Sequence, residues 1–390
     1  MEQTRSRIAQ RVQGLPPSGI RRFFELVEKM PEAISLGIGE PDFVTPWRVR
    51  EAGIYSLERG HTHYTPNRGI RPLLEELARY LERRFGVSYD PATELTVTVG
   101  GSEAIDVALR SVLEPGEGVL IPQPCFVSYV PCAVLAGGRA LAVPTSVEHD
   151  FRVQAADLAE ACDDSTRMLL VSYPNNPTGA ILPRADMEAI VRFAVERDLL
   201  IVSDEVYAEL TYNGEHCSAA SIPGARERTI LVGGFSKAWA MTGWRLGFAA
   251  GPADIIGAMV KVHSYAIMCS PTTAQEAAVE ALSGCDEEVA GMRREYNQRR
   301  RVIVNRLNAM GLTCFEPKGA FYAFPSIEST GLSSEEFAER LLAEEKVAVV
   351  PGTAFGECGE GFIRCSYATS MPLIEEAMSR MAAFVQRVSG

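Results

Sequence analysis

Lys237 stands in an unusual sequence environment for a lysine. Gly233, Gly234 and Phe235 precede it and Trp239 follows, so small or apolar residues surround its side chain. Such surroundings disfavour the ammonium form and lower the pKa of an amine. Because a neutral amine attacks aldehydes, Lys237 is a candidate nucleophile, although most lysines are surface residues.

Two nearby features suit a phosphate group. Arg245 follows Lys237 by eight residues and carries a planar fork of donors that matches phosphate oxygens. Gly100, Gly101 and Ser102 end a predicted strand and begin a predicted helix, so free backbone N–H groups and the positive end of a helix dipole face outward. Taken alone, these three residues equally fit a glycine turn with a serine cap.

Two further polar residues follow predicted strands. Asp204, in SDEVY, places a carboxylate at the end of an apolar strand, where a buried charge needs a positive or donating partner. Asn176, in YPNNPTG, lies in a turn made rigid by two prolines and a glycine. Each segment alone is also compatible with an ordinary loop, so the order of all these residues along one sheet carries the prediction.

The elements that must position these residues form an α/β pattern. Two segments, 102–113 and 184–198, repeat apolar residues at helical spacing and predict crossover helices. Seven short apolar segments predict the strands of a large, mostly parallel sheet: 94–100, 118–122, 140–145, 167–174, 199–206, 229–236 and 245–251. Ligands of such sheets bind at the carboxyl ends of the strands, where the polar residues above lie.

The pattern changes near residue 285. A long amphipathic helix, with apolar residues from Val289 to Met310, precedes short strands that alternate with two further helices, as in a smaller α+β domain. The first residues hold one predicted helix, 19–29, and a loop. We expect an N-terminal segment (1–48) that packs with the small domain, a large domain (49–285) and a small C-terminal domain (286–390).

Composition excludes several classes of function. The formal net charge of the 390 residues is -12, so no broad basic field is available for nucleic acid or an anionic membrane. The nine cysteines form no C-x-x-C pair and the five histidines form no ligand cluster, which predicts no metal site and fits a reducing cytoplasm. No apolar segment approaches the roughly 20 residues of a membrane span.

Four segments together resemble a known family across the whole chain. SYPNNPTG, SDEVY, GGFSKAWAMTGWRLGF and FIRCSYA occur in the order and spacing of the class I aminotransferases that depend on pyridoxal 5'-phosphate (PLP), the aspartate aminotransferase-like family of fold type I. The resemblance implies the PLP-dependent transferase fold. It also implies an enzyme that moves an amino group between an L-amino acid and a 2-oxo acid, with 2-oxoglutarate and glutamate as one pair.

The resemblance assigns catalytic roles to residues of this sequence. Lys237 would bind the cofactor covalently and carry the proton during catalysis. Asp204 would pair with the pyridine nitrogen. Tyr207 and Asn176 would hydrogen-bond the phenolic oxygen, and Phe126 would lie against the ring.

It likewise assigns binding roles. The phosphate would be held by Gly101, Ser102, Ser236 and Arg245, and by Tyr64 of a neighbouring subunit, which implies a homodimer with shared active sites. Arg364 and the backbone N–H of Gly39 would hold the substrate α-carboxylate, and Asn176 would also contact the substrate. Ile20, together with Arg21 and the loop around Phe43, would line the side-chain pocket.

The substrate stays open at this point. Lysine at the position of Ser102, and arginine within the segment matching 263–271, recognise aspartate in some branches of the family, and this chain has neither. Aspartate, aromatic and acyl-diaminopimelate donors all remain candidates. The main alternative is another PLP reaction on the same fold, such as β-elimination. A dinucleotide-binding protein or a PLP-binding regulator is disfavoured, because no G-x-G-x-x-G follows the first strand of the predicted sheet and no DNA-binding helix pair is appended.

Overall fold

A computed structural model describes residues 7–15, 30 and 32–389. Its strands, numbered in chain order, form one large and two small sheets. They are β1 Ile34–Ser35, β2 Leu95–Thr98, β3 Gly118–Gln123, β4 Arg139–Pro144, β5 Thr166–Ser172, β6 Leu200–Asp204, β7 Thr229–Gly234, β8 Gly247–Ala250, β9 Tyr322–Ala323, β10 Val347–Ala348, β11 Val350–Pro351 and β12 Ile363–Ser366.

The large sheet has seven strands in the order β2-β8-β7-β6-β5-β3-β4. All seven predicted strands are present, with shifts of a few residues at their ends. Strand β8 runs antiparallel to both β7 and β2, while the other neighbours are parallel. The reversal follows from the connection: residues 235–246 contain turns but no crossover helix, and only antiparallel neighbours can be joined in this way. The α/β fold with a mostly parallel sheet is therefore confirmed.

Helices cover the sheet and build the rest of the molecule. The predicted crossover helices are present as Gly100–Val112 and Arg184–Glu196, whereas the predicted helix 19–29 lies outside the described residues. The other α-helices are Gln10–Gln13, Trp47–Glu58, Arg71–Phe85, Tyr129–Leu135, Ala155–Ala161, Ala253–Ala266, Thr272–Gly284, Asp286–Ala309, Ser334–Glu345 and Met371–Val388. Among the described residues, no helix has the length and apolar character of a membrane span.

The predicted apolar stripe of the long C-terminal helix faces the core. Helix Asp286–Ala309 buries Val289, Tyr296 and Ile303, as the three- and four-residue spacing predicts. Beyond it, strands β11, β12 and β9 form an antiparallel sheet, and β1 pairs in parallel with β10. The N-terminal strand β1 thus joins the C-terminal part of the chain. The domain boundaries at residues 48 and 285 remain predictions.

The small sheet delivers two side chains toward the large one. Arg364 lies on β12, and the register pairs Ser366 of β12 with Tyr322 of β9. A backbone hydrogen bond from Tyr212 to the carbonyl of Lys318 ties the segment after β6 to the segment before β9. These links bring Arg364 and Tyr322 to the carboxyl ends of the central strands.

Candidate active site

A cavity of about 260 Å³ lies at the carboxyl ends of the central strands, between the large sheet and the three-stranded sheet of β11, β12 and β9. It brings together most of the residues that the sequence indicated. Its lining consists of Gly39, Gly101, Ser102, Ile105, Phe126, Tyr129, Ser172, Asn176, Asp204, Val206, Tyr207, Gly234, Ser236, Lys237, Arg245, Tyr322 and Arg364. Such a concave site with few, convergent polar groups is typical of a cofactor pocket.

Lys237 lies three residues after the end of β7, where Phe235 and Trp239 pack against each other with ring centroids 5.3 Å apart. The Nζ atom of Lys237 donates a 2.6 Å hydrogen bond to the carbonyl of Gly39. Burial, aided by the positive charge of Arg364, lowers the pKa of Lys237 to about 8, although Glu40 opposes this. Roughly a tenth of the amine is therefore neutral, and nucleophilic, at pH 7, far more than for a lysine with an ordinary pKa.

Asp204 is the last residue of β6 and is buried. Burial raises the pKa of this carboxyl to about 6, while the hydroxyl of Tyr129 and the N–H of Val206 hydrogen-bond it and oppose the rise. Tyr129 donates at 2.6 Å and Val206 at 3.2 Å. Because a buried carboxylate without a cation is unfavourable, the site favours a positively charged ligand group beside Asp204.

Tyr207 and Tyr322 meet in the middle of the cavity. Their hydroxyl oxygens are 2.7 Å apart, and burial raises the pKa of both phenols. The two residues come from the segment after β6 and from β9, so this contact joins the large sheet to the small one. A β-carbon on Gly39 would lie only 2.4 Å from the hydroxyl oxygen of Tyr322. This close approach accounts for glycine at position 39.

Arg364 is a buried guanidinium that lines the cavity. Its Nη1 donates to Asn176 Oδ1 at 2.8 Å and its Nη2 to the Gly37 carbonyl at 2.6 Å. Within the described part of the chain, its Nε has no hydrogen-bond partner, and its other two nitrogens bind an amide oxygen and a backbone carbonyl, not a carboxylate. A buried cation without a counter-ion is unfavourable, and burial lowers its pKa. A substrate carboxylate would supply the missing charge.

The part of the cavity formed by the start of helix Gly100–Val112 and by Arg245 suits a phosphate. Helix Gly100–Val112 begins there, with Gly100 at φ +78°, a conformation that favours glycine. A β-carbon at Gly100 would lie 2.6 Å from Arg245 Nη2, and one at Gly247 would lie 2.5 Å from the backbone of Gly100. The absence of side chains lets the helix start, the guanidinium and β8 approach closely, and Ser102 adds a hydroxyl.

The chemistry of these donors fits PLP along the length of the cavity. The hydrogen-bond donors of Ser102 and Arg245 suit its phosphate, and the aromatic side chain of Phe126 suits its ring. Buried Asp204 suits its pyridinium nitrogen. The amine of Lys237 lies among these groups and suits its aldehyde. No cluster of metal-ligating side chains occurs among the described residues.

Of the residues assigned from sequence, Tyr64 and Phe43 are described and do not line the cavity, while Ile20 is not described. Tyr64 is 81% exposed in the single chain, and its predicted role requires a neighbouring subunit. Ile20, like Arg21, lies outside the described residues. Phe43 packs edge-on against Tyr296, with centroids 5.3 Å apart, and does not border the cavity.

Sequence reasoning missed two residues that the structure places in the centre of the cavity. Tyr129 follows Phe126 by three residues, and an aromatic hydroxyl just beyond a strand end was a signal that could have been used. Tyr322 has no such signal, because its position depends on the pairing of β9 with β12.

A mostly parallel seven-stranded sheet with a partly buried lysine and a buried carboxylate and arginine at its carboxyl edge defines the class of PLP-dependent transferases. The family model for aminotransferase class I and II matches residues 31–381. The chain therefore belongs to the class I and II aminotransferases, and its cofactor is pyridoxal 5'-phosphate.

Similar proteins carry aminotransferase names. The aspartate aminotransferase of Pyrococcus abyssi is 49% identical over 94% of this chain and 95% of its own length. The aromatic-amino-acid aminotransferase 2 of Thermococcus litoralis is 48% identical over 96% of this chain and 97% of its own. The structure of aspartate aminotransferase from Thermus thermophilus with maleate has a TM-score of 0.93 and 39% identity, covering 97% and 100%. These similarities support transamination and do not favour β-elimination.

Proposed function

We propose that this enzyme transfers the amino group of an apolar or aromatic L-amino acid to 2-oxoglutarate, with Lys237 as the residue that carries the proton. The observation that carries the proposal is the partly buried amine of Lys237, whose pKa is lowered to about 8, in one cavity with Asp204 and Arg364. A group that alternately accepts and donates a proton works best when its pKa is near the working pH.

Bound PLP supplies an aldehyde that accepts the amino group and a ring that stabilises negative charge at the substrate Cα. The protein supplies the remaining functions. The Nζ of Lys237 takes the proton from the substrate Cα and returns it to the cofactor's C4' carbon. The Gly39 carbonyl, 2.6 Å from Nζ, holds the amine in position between these transfers.

Asp204 and Tyr207 would each bind a polar atom of the PLP ring. Asp204 keeps the pyridine nitrogen protonated, and Tyr129 holds the carboxylate by its 2.6 Å hydrogen bond. Tyr207 donates to the phenolic oxygen while Tyr322 holds the Tyr207 hydroxyl at 2.7 Å. Both partners are buried, so these hydrogen bonds act in a low dielectric and strongly influence the electron distribution of the ring.

Arg364 orients the substrate. Its guanidinium lies over the Tyr322 ring at 4.5 Å and the Phe355 ring at 4.8 Å, and it is bonded to Asn176, so its plane is fixed before substrate arrives. A carboxylate that binds this fixed fork brings its own Cα toward Lys237. Every amino acid and 2-oxo acid substrate has this α-carboxylate, so one clamp serves both half-reactions.

The charges of the cavity support an apolar or aromatic donor. Among the described residues, its cationic lining consists of Lys237, Arg245 and Arg364, and each of the three already has a role. None of these three is left for a distal carboxylate, so that of 2-oxoglutarate would need a cation outside the described residues, such as Arg21, which the resemblance assigns to the side-chain pocket. Relatives named for aspartate and for aromatic amino acids are similarly close to this chain, so sequence similarity alone does not rank the donors.

A half-reaction experiment tests the proposal. Purified, PLP-saturated enzyme is mixed with phenylalanine, leucine or aspartate alone, and the absorbance of the bound cofactor is followed, then 2-oxoglutarate is added. Conversion by the amino acid and reversal by the 2-oxo acid are expected, with phenylalanine reacting faster than aspartate. A faster reaction with aspartate would overturn the donor preference, and release of ammonia without reversal would indicate a lyase.

We also propose a homodimer that is completed across an exposed apolar face. The face combines helix Trp47–Glu58 with two tyrosines, Tyr64 and Tyr265, which are 81% and 94% exposed. Asn67 donates to Ser264 Oγ at 2.6 Å, so the segments that carry the two tyrosines adjoin. The other exposed apolar residues of these segments are Trp47, Ile54, Tyr55, Leu57, Ile267 and Met268. Such a face is unfavourable in water and fits a second copy of the chain.

Mixing two impaired variants tests the shared site. Lys237→Ala lacks the amine and Tyr64→Ala lacks the proposed phosphate contact from the neighbour. In a dimer with one chain of each kind, one site has both residues intact, so random mixing should restore about a quarter of wild-type activity. No gain on mixing, or a monomer in sedimentation, would contradict the shared site.

We further propose a cytoplasmic location, since all nine cysteines are free thiols.

A further inference from the structure

A buried histidine–glutamate pair lies directly behind the proposed phosphate turn, here defined as residues 99–102. His263 belongs to helix Ala253–Ala266 and is fully buried, and its Nδ1 is 2.7 Å from Glu103 Oε1. The other oxygen, Oε2, accepts a 2.5 Å hydrogen bond from the N–H of Val99. Glu103 follows the phosphate turn and His263 lies 160 residues away, so the pair links two distant parts of the chain.

The hydrogen bonds around His263 identify it as the donor in its contact with Glu103. Nε2 of His263 is buried and has no partner in the described part of the chain. A buried N–H without an acceptor would be unfavourable, so the proton resides on Nδ1 and is donated to Glu103. Each carboxylate oxygen of Glu103 then accepts one N–H group. One bond fixes Val99, where the turn begins, and the other fixes the carboxylate to helix Ala253–Ala266.

The turn has little other side-chain support on this face. Val99 does not cap the helix with a side chain, and Gly100 and Gly101 have none. The hydroxyl of Thr98 donates to the carbonyl of Gly100 at 3.0 Å. This bond holds a carbonyl oxygen and none of the N–H groups that would bind a phosphate. The direction of the free N–H groups at the start of the helix therefore depends on the Glu103 carboxylate.

We propose that His263 and Glu103 are positioning residues that hold the phosphate turn in its binding conformation, so that their loss weakens binding of the cofactor phosphate selectively. This inference rests on the proposed function, in which Gly101, Ser102 and Arg245 bind the phosphate. The pair itself does not touch the cavity, since neither residue is part of its lining.

The test compares two cofactors that differ only in the phosphate. Holoenzyme is stripped of cofactor and titrated with PLP and with pyridoxal, and the ratio of the two Kd values is determined. His263→Leu should raise the Kd for PLP about tenfold and leave that for pyridoxal nearly unchanged, because the lost hydrogen bond acts only through the turn. His263→Asn, whose Nδ2 can replace Nδ1 as a donor, should restore most of the affinity.

A matched control separates this role from general stability. Asp106 lies one turn further along the same helix and forms an exposed ion pair with Arg110 at 2.8 Å. Asp106→Asn should leave both Kd values unchanged. If His263→Leu raises the two Kd values equally, or changes neither while the variant remains folded by circular dichroism, the positioning role is wrong.

A second variant distinguishes this inference from the proposed site. Arg245→Gln removes a proposed phosphate ligand and should reduce the preference for PLP over pyridoxal. If Arg245→Gln leaves that preference unchanged, the proposed phosphate site is wrong. If Arg245→Gln reduces it but His263→Leu does not, the phosphate site stands and the inference about His263 and Glu103 fails.

Discussion

The hydroxyl of Tyr129 donates a 2.6 Å hydrogen bond to Asp204 Oδ2 in the buried centre of the site. Tyr129 is the first residue of helix Tyr129–Leu135, and Asp204 ends β6. The bond stabilises the ionised carboxyl and opposes the rise that burial causes in the pKa of Asp204. Tyr129 therefore helps to keep Asp204 charged beside the cofactor nitrogen.

Replacing Tyr129 by Phe should move the acidic limb of the kcat profile to higher pH. Loss of the donor leaves burial less opposed, so the pKa of Asp204 rises further and the carboxyl protonates sooner as pH falls. We expect kcat at pH 7 to fall about tenfold. Tyr173→Phe is the control, since this buried phenol bonds the Phe151 carbonyl outside the cavity. Identical pH profiles for Tyr129→Phe and wild type would contradict the role.

Replacing Tyr322 by Phe should change the electronic state of the cofactor without removing a ligand. The Tyr207 hydroxyl loses its 2.7 Å partner and becomes a weaker donor to the phenolic oxygen. The pH midpoint of the bound cofactor's absorbance should rise by about half a unit, and kcat should fall more than KM changes. Tyr367→Phe removes a hydroxyl that interacts with Tyr212 and with the Ala320 carbonyl, at 3.4 Å, but does not line the cavity, so it should shift neither quantity. An unshifted midpoint in Tyr322→Phe would refute the coupling.

Replacing Arg364 by Gln should impair all substrates alike. The fixed fork holds the α-carboxylate that amino acids and 2-oxo acids share, so KM for both should rise by about 10- to 100-fold, the effect of losing a hydrogen bond to a charged group. Steady-state kinetics with phenylalanine and with 2-oxoglutarate measure this. Phenethylamine, which lacks the carboxylate, should react equally slowly with wild type and variant. If only one of the two carboxylate substrates were affected, the clamp would be assigned wrongly.

Lys237 should make the stability of the cofactor-free protein depend on pH above neutrality. Its folded pKa, about 8, is below the unfolded value of 10.5, so between these values the unfolded chain binds more protons and stability rises with pH. Below about pH 8 the buried ammonium destabilises the fold. Lys237→Met should therefore raise Tm at pH 7, and the gain should shrink toward pH 10. Lys261→Met, at an exposed position, should show no such trend, and a constant gain in Lys237→Met would contradict burial of the charge.

The secondary structure near the cofactor was largely predictable because local pattern determines it. Strands such as 167–174 and 199–206 are apolar on both faces, and only a covered parallel sheet provides that environment. Polar residues at the strand ends then indicated the site. The direction of β8 was not predictable in this way, because it depends on how residues 235–246 reverse the chain.

Contacts between distant segments account for what sequence alone did not reveal. Tyr322 reaches Tyr207 only because β9 pairs with β12, a register set by packing. His263 reaches Glu103 only because helix Ala253–Ala266 packs on helix Gly100–Val112. Motif reasoning identifies residues that touch the cofactor, since their chemistry restricts their type. It does not identify residues that hold those groups in place, since several residue types could do so.

Covalent trapping tests the central assignment most directly. PLP-saturated enzyme is reduced with sodium borohydride, digested and analysed by mass spectrometry. We predict a stable phosphopyridoxyl group on the peptide that contains Lys237, and its loss in Lys237→Ala. A reduced adduct on a different lysine, or none on Lys237 in fully saturated wild-type enzyme, would contradict the account.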